Sequence, residues 1–121
     1  MRVLLADDDA DTLITLAELL QREGFDVKMV LNGGPVVAVA SYYRPHIVLL
    51  DIGMPDRNGF KVAAELRAIY GDQAPVLIAI TGLSGAAEKI QSEKCGFDHY
   101  VRKPYDPVQL LELIASRVPQ S

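Results

Sequence analysis

Several residue types are scarce in this chain of 121 residues, and each scarcity excludes a class of protein. There is no tryptophan, a single cysteine (Cys95) and only two histidines, His46 and His99. A lone cysteine cannot form an intramolecular disulfide, which favours a reducing, cytoplasmic location. One cysteine and two histidines fall short of the four ligands of a structural zinc site, and the spacing suggests no carboxylate to complete one.

Long apolar runs and clustered positive charge are also missing. Half of the residues are hydrophobic, but no run approaches the roughly 20 apolar residues that a membrane-spanning helix requires. Only four apolar residues follow Met1 and Arg2 before the first aspartate, so the start is not typical of a signal peptide. The net charge of −4 argues against a nucleic-acid-binding surface. The length is that of one domain, and we expect residues 1–121 to form it.

The chain does contain a regular alternation of strand and helix signals. Short apolar runs typical of strands begin near Val3, Phe25, Ile47, Val76 and Tyr100. The stretches between them show helical periodicity, most clearly the run of Leu13, Leu16, Ala17 and Leu20. Asp9 and Asp106 stand where the first and last helices need N-caps. No linker, repeat or low-complexity segment interrupts the pattern, which predicts one doubly wound α/β domain.

The predicted elements differ in how much apolar surface they offer to a core. The helix after Gly33 and Gly34 is mostly apolar over residues 36–40, which indicates deep burial. Residues 25–29 alternate in polarity, as an edge strand should. A third helix is predicted from Val62, Leu66 and Ile69. The stretch 84–94 offers few apolar residues, so we expect it to be the most weakly anchored helix.

Two of the predicted strands end directly in carboxylates. Residues 3–6 run into Asp7 and Asp8, and residues 47–50 run into Asp51. Ligands bind beyond the carboxyl ends of parallel strands, so these side chains converge if the two strands are neighbours. Two carboxylates about 4 Å apart repel by roughly 4 kcal/mol at an effective dielectric of ~20, which implies a bound divalent cation. Oxygen ligands suit Mg²⁺, with Mn²⁺ as the alternative ion, and one carboxylate is a candidate nucleophile or phosphate carrier.

Two further polar residues follow later strands. Thr81 and Gly82 come after an apolar run, where a threonine before a turn glycine is common. At the carboxyl end of a parallel strand, however, the Thr81 hydroxyl could donate to a phosphoryl oxygen. Lys103, followed by Pro104, is a surface lysine by default. Its ammonium group would nevertheless balance the charge of nearby carboxylates and a phosphate.

Taken together, these features make the chain similar to the receiver domains of two-component response regulators. The similarity covers residues 3 to about 118 and extends to single-domain chemotaxis-type regulators and the receivers of hybrid kinases. The residues that carry it are Asp7, Asp8, Asp51, Thr81, Tyr100, Lys103 and Pro104. The resemblance implies a flavodoxin-like (βα)₅ three-layer sandwich whose five parallel strands have the order 2-1-3-4-5.

The resemblance also implies roles for the acidic positions. Asp51 matches the residue that accepts a phosphoryl group from phosphohistidine. Asp8 matches the residue that binds Mg²⁺ directly, and Asp7 the one that binds it mainly through water. Gly53 matches a position that contributes its backbone carbonyl to the metal, a role that needs no side chain.

The remaining matched positions imply phosphate binding and a conformational switch. Thr81 and Lys103 match phosphate-binding residues, and Tyr100 matches a rotameric switch that works with Thr81. The resemblance and the need to turn Lys103 toward Asp51 predict a cis peptide bond before Pro104.

The implied partners and activity are those of a signalling protein. The phosphodonor is a sensor histidine kinase or a histidine phosphotransfer protein. A downstream protein target binds the face formed by the fourth helix, the fifth strand and the last helix, residues 84–117. The domain is expected to promote only its own phosphorylation and dephosphorylation, so it is not an enzyme.

Three other classes share parts of this pattern. An aspartate-nucleophile phosphatase needs an Asp-x-Asp-x-Thr/Val motif, but the segments that start at Asp7 and Asp9 end in Asp11 and Leu13. An FMN-binding flavodoxin shares the topology, but aspartates after the first strand would repel a phosphate dianion. A receiver-like scaffold that acts without phosphorylation is the alternative. The complete set of acids, threonine and lysine counts against it.

Overall fold

The computed structural model describes residues 1–52, 59–82, 94–103 and 105–116. In this part of the chain, one parallel sheet contains β1 (Arg2–Ala6), β2 (Asp26–Val30), β3 (Ile47–Asp51), β4 (Val76–Thr81) and β5 (His99–Arg102). The helices are α1 (Ala10–Arg22), α2 (Val36–Tyr43), α3 (Gly59–Tyr70), a short 3₁₀ helix (Gly71–Gln73) and α4 (Pro107–Ser116). The strand order is β2-β1-β3-β4-β5, which confirms the predicted topology.

The strands supply two apolar clusters, one on each face of the sheet. Leu4, Leu50 and Leu77 pack with residues of α2 and α3 on one face. Leu5 and Ile78 pack with residues of α1 and α4 on the other face. Successive side chains of a strand point to opposite faces, so a continuous apolar run fills both clusters at once. The fold is therefore doubly wound, with the sheet as the middle layer of three.

The two predicted N-caps are confirmed. Asp9 Oδ1 accepts hydrogen bonds from the backbone N–H groups of Asp11 at 3.1 Å and Thr12 at 3.4 Å, and the Thr12 hydroxyl donates to Asp9 Oδ2 at 2.7 Å. Asp106 Oδ1 accepts from the Val108 N–H at 2.9 Å at the start of α4. These bonds satisfy donors that have no partner within a helix. The predicted core residues of α1 are buried: Leu13, Leu16, Ala17 and Leu20.

Other helix predictions have mixed outcomes. The expected burial of α2 is confirmed, since Val36 and Val39 lie in the core. The third helix predicted from Val62, Leu66 and Ile69 is confirmed as α3. Val62 and Leu66 are buried, whereas Ile69 is 57% exposed and the following residue, Tyr70, packs against the apolar cluster. Of the helix predicted over 84–94, only Lys94 falls within the described residues. Among those residues, no helix combines the length and apolarity that crossing a membrane would need.

Candidate functional site

The strand register brings the predicted carboxylates together. β1 and β3 are neighbours and pair Ala6 with Leu50, so the next residues, Asp7 and Asp51, emerge side by side at the carboxyl edge of the sheet. Asp8 follows in the loop before α1. Carboxylate oxygens of Asp7, Asp8 and Asp51 all lie within 4.8 Å of one another. The predicted convergence of these three acids is confirmed.

Lys103 supplies a positive charge to this acidic cluster. Its Nζ lies 3.0 Å from Asp7 Oδ2 and 3.1 Å from Asp51 Oδ2. Its backbone N–H donates to the Thr81 carbonyl at 2.7 Å, which fixes the residue at the end of the β4–β5 pairing. Burial lowers the pKa of Lys103, but hydrogen bonds to Asp7 and Asp51 outweigh that effect and hold the pKa above its usual value. The side chain is therefore a cation at neutral pH.

The three acids have different surroundings. Asp7 and Asp51 are only 4% and 7% exposed, whereas Asp8 is exposed to solvent. Asp7 Oδ1 accepts the Asp9 backbone N–H at 3.0 Å, and its other oxygen faces Lys103, so both of its oxygens are engaged. Asp51 lies on β3, the central strand, between these groups and Thr81. The cluster thus combines two buried acids with one that water can reach.

The donor set fits a divalent metal ion. Mg²⁺ prefers oxygen ligands in an octahedral arrangement and keeps several of its waters. Asp7, Asp8 and Asp51 offer closely spaced carboxylate oxygens, and the exposure of Asp8 leaves room for water ligands. Lys103 already places a cation among these acids, which shows that the pocket favours positive charge. Gly53, the other predicted metal ligand, lies outside the described residues.

Thr81 lies on β4, which neighbours β3, and Tyr100 lies on β5, one strand further from β3. Thr81 ends β4, is 1% exposed, and comes one residue after Ile80, which pairs with Asp51. Tyr100 pairs with Ala79 and packs, partly buried, against the apolar cluster that includes α2 and α3. Their positions suit the predicted switch, and that role stays a prediction. The peptide bond before Pro104 also stays a prediction, because Pro104 lies outside the described residues.

Gly59 is a positioning residue that the sequence did not reveal. A Cβ atom at this position would lie 2.9 Å from the Ile52 Cα and 3.1 Å from the Asp51 carbonyl oxygen. The Gly59 N–H donates to the Ile52 carbonyl at 3.3 Å. Because any side chain would collide with this backbone, glycine allows α3 to begin directly against the end of β3. In the sequence, Asn58 and Gly59 indicate only a turn before a helix.

A groove of about 560 Å³ borders the acidic cluster. Its lining includes Asp9 and Thr12 from the start of α1, together with Lys103 and Tyr105. Burial and the negative charge of Asp7 raise the pKa of Tyr105. The sequence reasoning missed Tyr105; the available signal was an aromatic residue shortly after Lys103. The groove meets the acidic cluster at Lys103, which lines the groove and contacts Asp7 and Asp51.

The fold and the acidic pocket define a receiver domain, a regulatory phosphoacceptor of two-component signalling rather than an enzyme. A match to the family described as the response regulator receiver domain covers residues 3–115. The chain belongs to this family.

Individual relatives agree with that assignment. The chain is 34% identical over 109 residues to the aerobic respiration control protein ArcA of Escherichia coli, a match that covers 89% of this chain and 44% of ArcA. It is 31% identical over 117 residues to the DNA-binding response regulator MtrA of Mycolicibacterium paratuberculosis, covering 97% of this chain and 51% of MtrA. The chain therefore spans about half the length of these relatives.

A solved structure has the same architecture. A CheY-like response regulator receiver domain protein from Methanospirillum hungatei superposes with a TM-score of 0.89 at 28% sequence identity. The superposition covers 96% of this chain and 91% of the other.

Proposed function

We propose that residues 1–121 form a single receiver domain in which Asp51 accepts the phosphoryl group. The donor is phosphohistidine on a sensor histidine kinase or a histidine phosphotransfer protein. The observation that carries this proposal is the cluster in which Asp51 shares Lys103 with Asp7 and has the Asp8 carboxylate within 4.8 Å. The family resemblance assigns the acceptor role to Asp51, and the contact of Lys103 Nζ with Asp51 Oδ2 at 3.1 Å supports it.

The transfer is a single displacement at phosphorus. A carboxylate oxygen of Asp51 forms a bond to phosphorus while the phosphorus–nitrogen bond to the donor imidazole breaks, and the imidazole leaves with the electron pair. The Lys103 ammonium, 3.1 Å from Asp51 Oδ2, neutralises negative charge that gathers on the phosphoryl oxygens. The Thr81 hydroxyl donates a hydrogen bond to one of those oxygens. Positioning and electrostatics of this kind account for most of the catalysis in phosphoryl transfer.

Mg²⁺, or alternatively Mn²⁺, is the proposed cofactor. Asp7, Asp8 and Asp51 would hold the ion, and the family resemblance adds the Gly53 carbonyl. When bound, the ion offsets charge on the transferring group. When no dication is bound, the Lys103 ammonium group lies 3.0 Å from Asp7 and 3.1 Å from Asp51 and supplies positive charge there.

The signal is proposed to leave the site through Thr81 and Tyr100. An aspartyl phosphate adds about −1.5 to −2 charges and strong acceptor oxygens at neutral pH, by analogy with other phosphorylated side chains. The Thr81 hydroxyl moves toward the phosphate, and the Tyr100 ring fills the space that it leaves. This change biases the partner-binding face over residues 84–117 in favour of a downstream protein target. We place the domain in the cytoplasm, where the donor histidine proteins act.

Mass spectrometry of the intact chain tests the acceptor. With a small phosphodonor such as acetyl phosphate and Mg²⁺, we expect a single added phosphoryl group, absent with a chelator and absent in Asp51→Asn. Asp72→Asn is the matched control, because Asp72 is an exposed acid in the 3₁₀ helix. Labelling of Asp51→Asn at the wild-type level would exclude Asp51 as the acceptor. No labelling of the wild type would favour the phosphorylation-independent scaffold.

A further inference from the structure

The outer edge of β2 carries backbone groups that no strand uses in the described part of the chain. On the β1 side, the Asp26 N–H donates to the Met1 carbonyl at 2.8 Å, and the Val30 carbonyl accepts from the Asp7 N–H at 3.2 Å, so the partners lie just before and just after β1. The N–H and C=O groups of successive strand residues point to opposite sides. Those of Val27 and Met29 therefore face outward. Such an edge is a template for another strand.

Large hydrophobic side chains are exposed beside this edge. Met29 is 45% exposed and Leu31, just beyond β2, is 55% exposed. Tyr42 is 65% exposed, and its ring centre lies 5.3 Å from Nζ of Lys28, which places it next to β2. These are three of the six large hydrophobic side chains that are exposed among the described residues. The edge thus offers both free hydrogen-bonding groups and apolar surface.

We infer that this edge is a self-association surface, on which a second copy of the chain adds its own β2 in antiparallel orientation about a two-fold axis at Val27. The Val27 N–H and C=O then bond to Val27 of the second copy. The Met29 N–H bonds to the Phe25 carbonyl of the second copy. The outward N–H and C=O groups supply these bonds, so the pairing with β1 is left intact.

Charge selects the second copy as occupant and sets the register. With the axis at Val27, Asp26 of each chain faces Lys28 of the other, in a non-hydrogen-bonded pair where side chains approach closely. Phe25 faces Met29 on the other side of the sheet. An axis at Lys28 would instead oppose two lysines, and an axis at Met29 would oppose Lys28 with an apolar residue. A lysine on an edge normally discourages pairing, so a strand without a matching acid is rejected.

A proline substitution tests the surface without disturbing the fold. Proline is tolerated on an edge strand where the N–H faces solvent, so Met29→Pro removes only an outward donor. Met29→Leu is the control, because it keeps the N–H and an apolar side chain. In sedimentation experiments over a dilution series, we expect wild type and Met29→Leu to rise from 13.2 kDa toward twice that mass. Met29→Pro should associate at least about ten-fold more weakly, a loss of about 1.4 kcal/mol. Circular dichroism checks that each variant is folded.

A wild type that stays monomeric throughout would overturn the inference. So would a Met29→Pro variant that is folded and associates as tightly as Met29→Leu, because the contact would then lie on another face. Charge gives a second criterion: Lys28→Asp should weaken association, and the combined exchange of Asp26→Lys with Lys28→Asp should restore it. An exposed substitution elsewhere, Lys61→Asp, should change it little.

Single cysteines test the register. Only a residue on the two-fold axis faces its own copy, and the Cα atoms of a hydrogen-bonded pair lie about 5.5 Å apart, a distance that suits a disulfide. In a Cys95→Ser background, we expect Val27→Cys to form a disulfide-linked dimer under mild oxidation. Lys28→Cys and Met29→Cys should not. Crosslinking at either of these positions in place of Val27 would refute the proposed axis.

Discussion

Lys103 holds together carboxylates that otherwise repel one another, so its removal should destabilise the metal-free protein. Two carboxylate oxygens 4.8 Å apart, the upper limit within this cluster, repel by about 3.5 kcal/mol at an effective dielectric of ~20. Lys103 offsets this repulsion by pairing with Asp7 at 3.0 Å and Asp51 at 3.1 Å. Lys103→Met keeps the apolar stem and removes the charge, which leaves two nearly buried carboxylates without that partner.

The expected loss follows from the burial of the three groups. Removing one partner of a buried ion pair costs about 3–5 kcal/mol. The Lys103 side chain is 28% exposed, so water can partly replace it. We therefore expect Lys103→Met to lower the free energy of unfolding by about 2–3 kcal/mol in the presence of a chelator. Lys61→Met, at an exposed position on α3, is the control and should change it by less than about 0.5 kcal/mol.

Divalent metal should reduce the difference in free energy of unfolding between the wild type and Lys103→Met. A ligand at 100 times its dissociation constant stabilises the folded state by about 2.7 kcal/mol. In Lys103→Met the metal does not compete with an ammonium group, so the variant gains more from Mg²⁺ than the wild type. Urea unfolding with chelator and with rising Mg²⁺ measures both effects. A loss below about 0.5 kcal/mol in chelator, or a difference that widens with Mg²⁺, would contradict this account.

The pH dependence gives an independent check. The pKa of Lys103 is raised in the folded protein, so its contribution to stability is complete below the unfolded value of about 10.4. That contribution disappears as the pH rises through the folded pKa. The difference in stability between the wild type and Lys103→Met should therefore shrink at strongly alkaline pH, where the ammonium group loses its proton.

Three further predictions address other parts of the molecule. Gly59→Ala should lower the free energy of unfolding by about 1–3 kcal/mol and slow phosphorylation, since its Cβ would lie 2.9 Å from the Ile52 Cα. Burial raises the pKa of Tyr43 from 10.0 to about 12. The protonated Tyr43 hydroxyl therefore contributes stability below pH 10 that should be lost as the pH rises from 10 to 12. Over that range, the free energy of unfolding of Tyr43→Phe should fall less than that of the wild type. Beryllofluoride should change amide exchange around Tyr100. Changes confined to the Asp51 loop, with none over residues 84–105, would refute the proposed switch.

The order of elements and the chemistry of the site were readable from the sequence because both depend on local patterns. Continuous apolar runs predict strands covered on both faces, and their ends put Asp7 and Asp51 at one edge of the sheet. Asp9 was recognisable as an N-cap because capping depends on residues close in sequence. The exposed Ile69 shows the limit of periodicity. Residues three and four positions after Leu66 both lie near the same helix face, and packing places Tyr70 rather than Ile69 against the apolar cluster.

Only the tertiary structure decided how distant segments meet. The pairing of Ala6 with Leu50 sets Asp7 and Asp51 side by side, and a shift of register would separate them. The bridge from Lys103 to both acids depends on the β4–β5 pairing. Contacts of this kind join residues far apart in the chain, which no local pattern encodes.

The roles of Gly59 at the start of α3 and of the outer edge of β2 also become apparent only in the tertiary structure. Gly59 is an ordinary turn residue in the sequence, and its necessity appears only when the helix lies against the backbone of Ile52. Alternating polarity predicted β2 as an edge strand, but not which of its backbone groups face outward. The hydrogen bonds of Asp26 and Val30 on the β1 side leave the backbone N–H and C=O groups of Val27 and Met29 on the outer edge. Sequence determines which groups are present, and packing determines which of them remain free to bind.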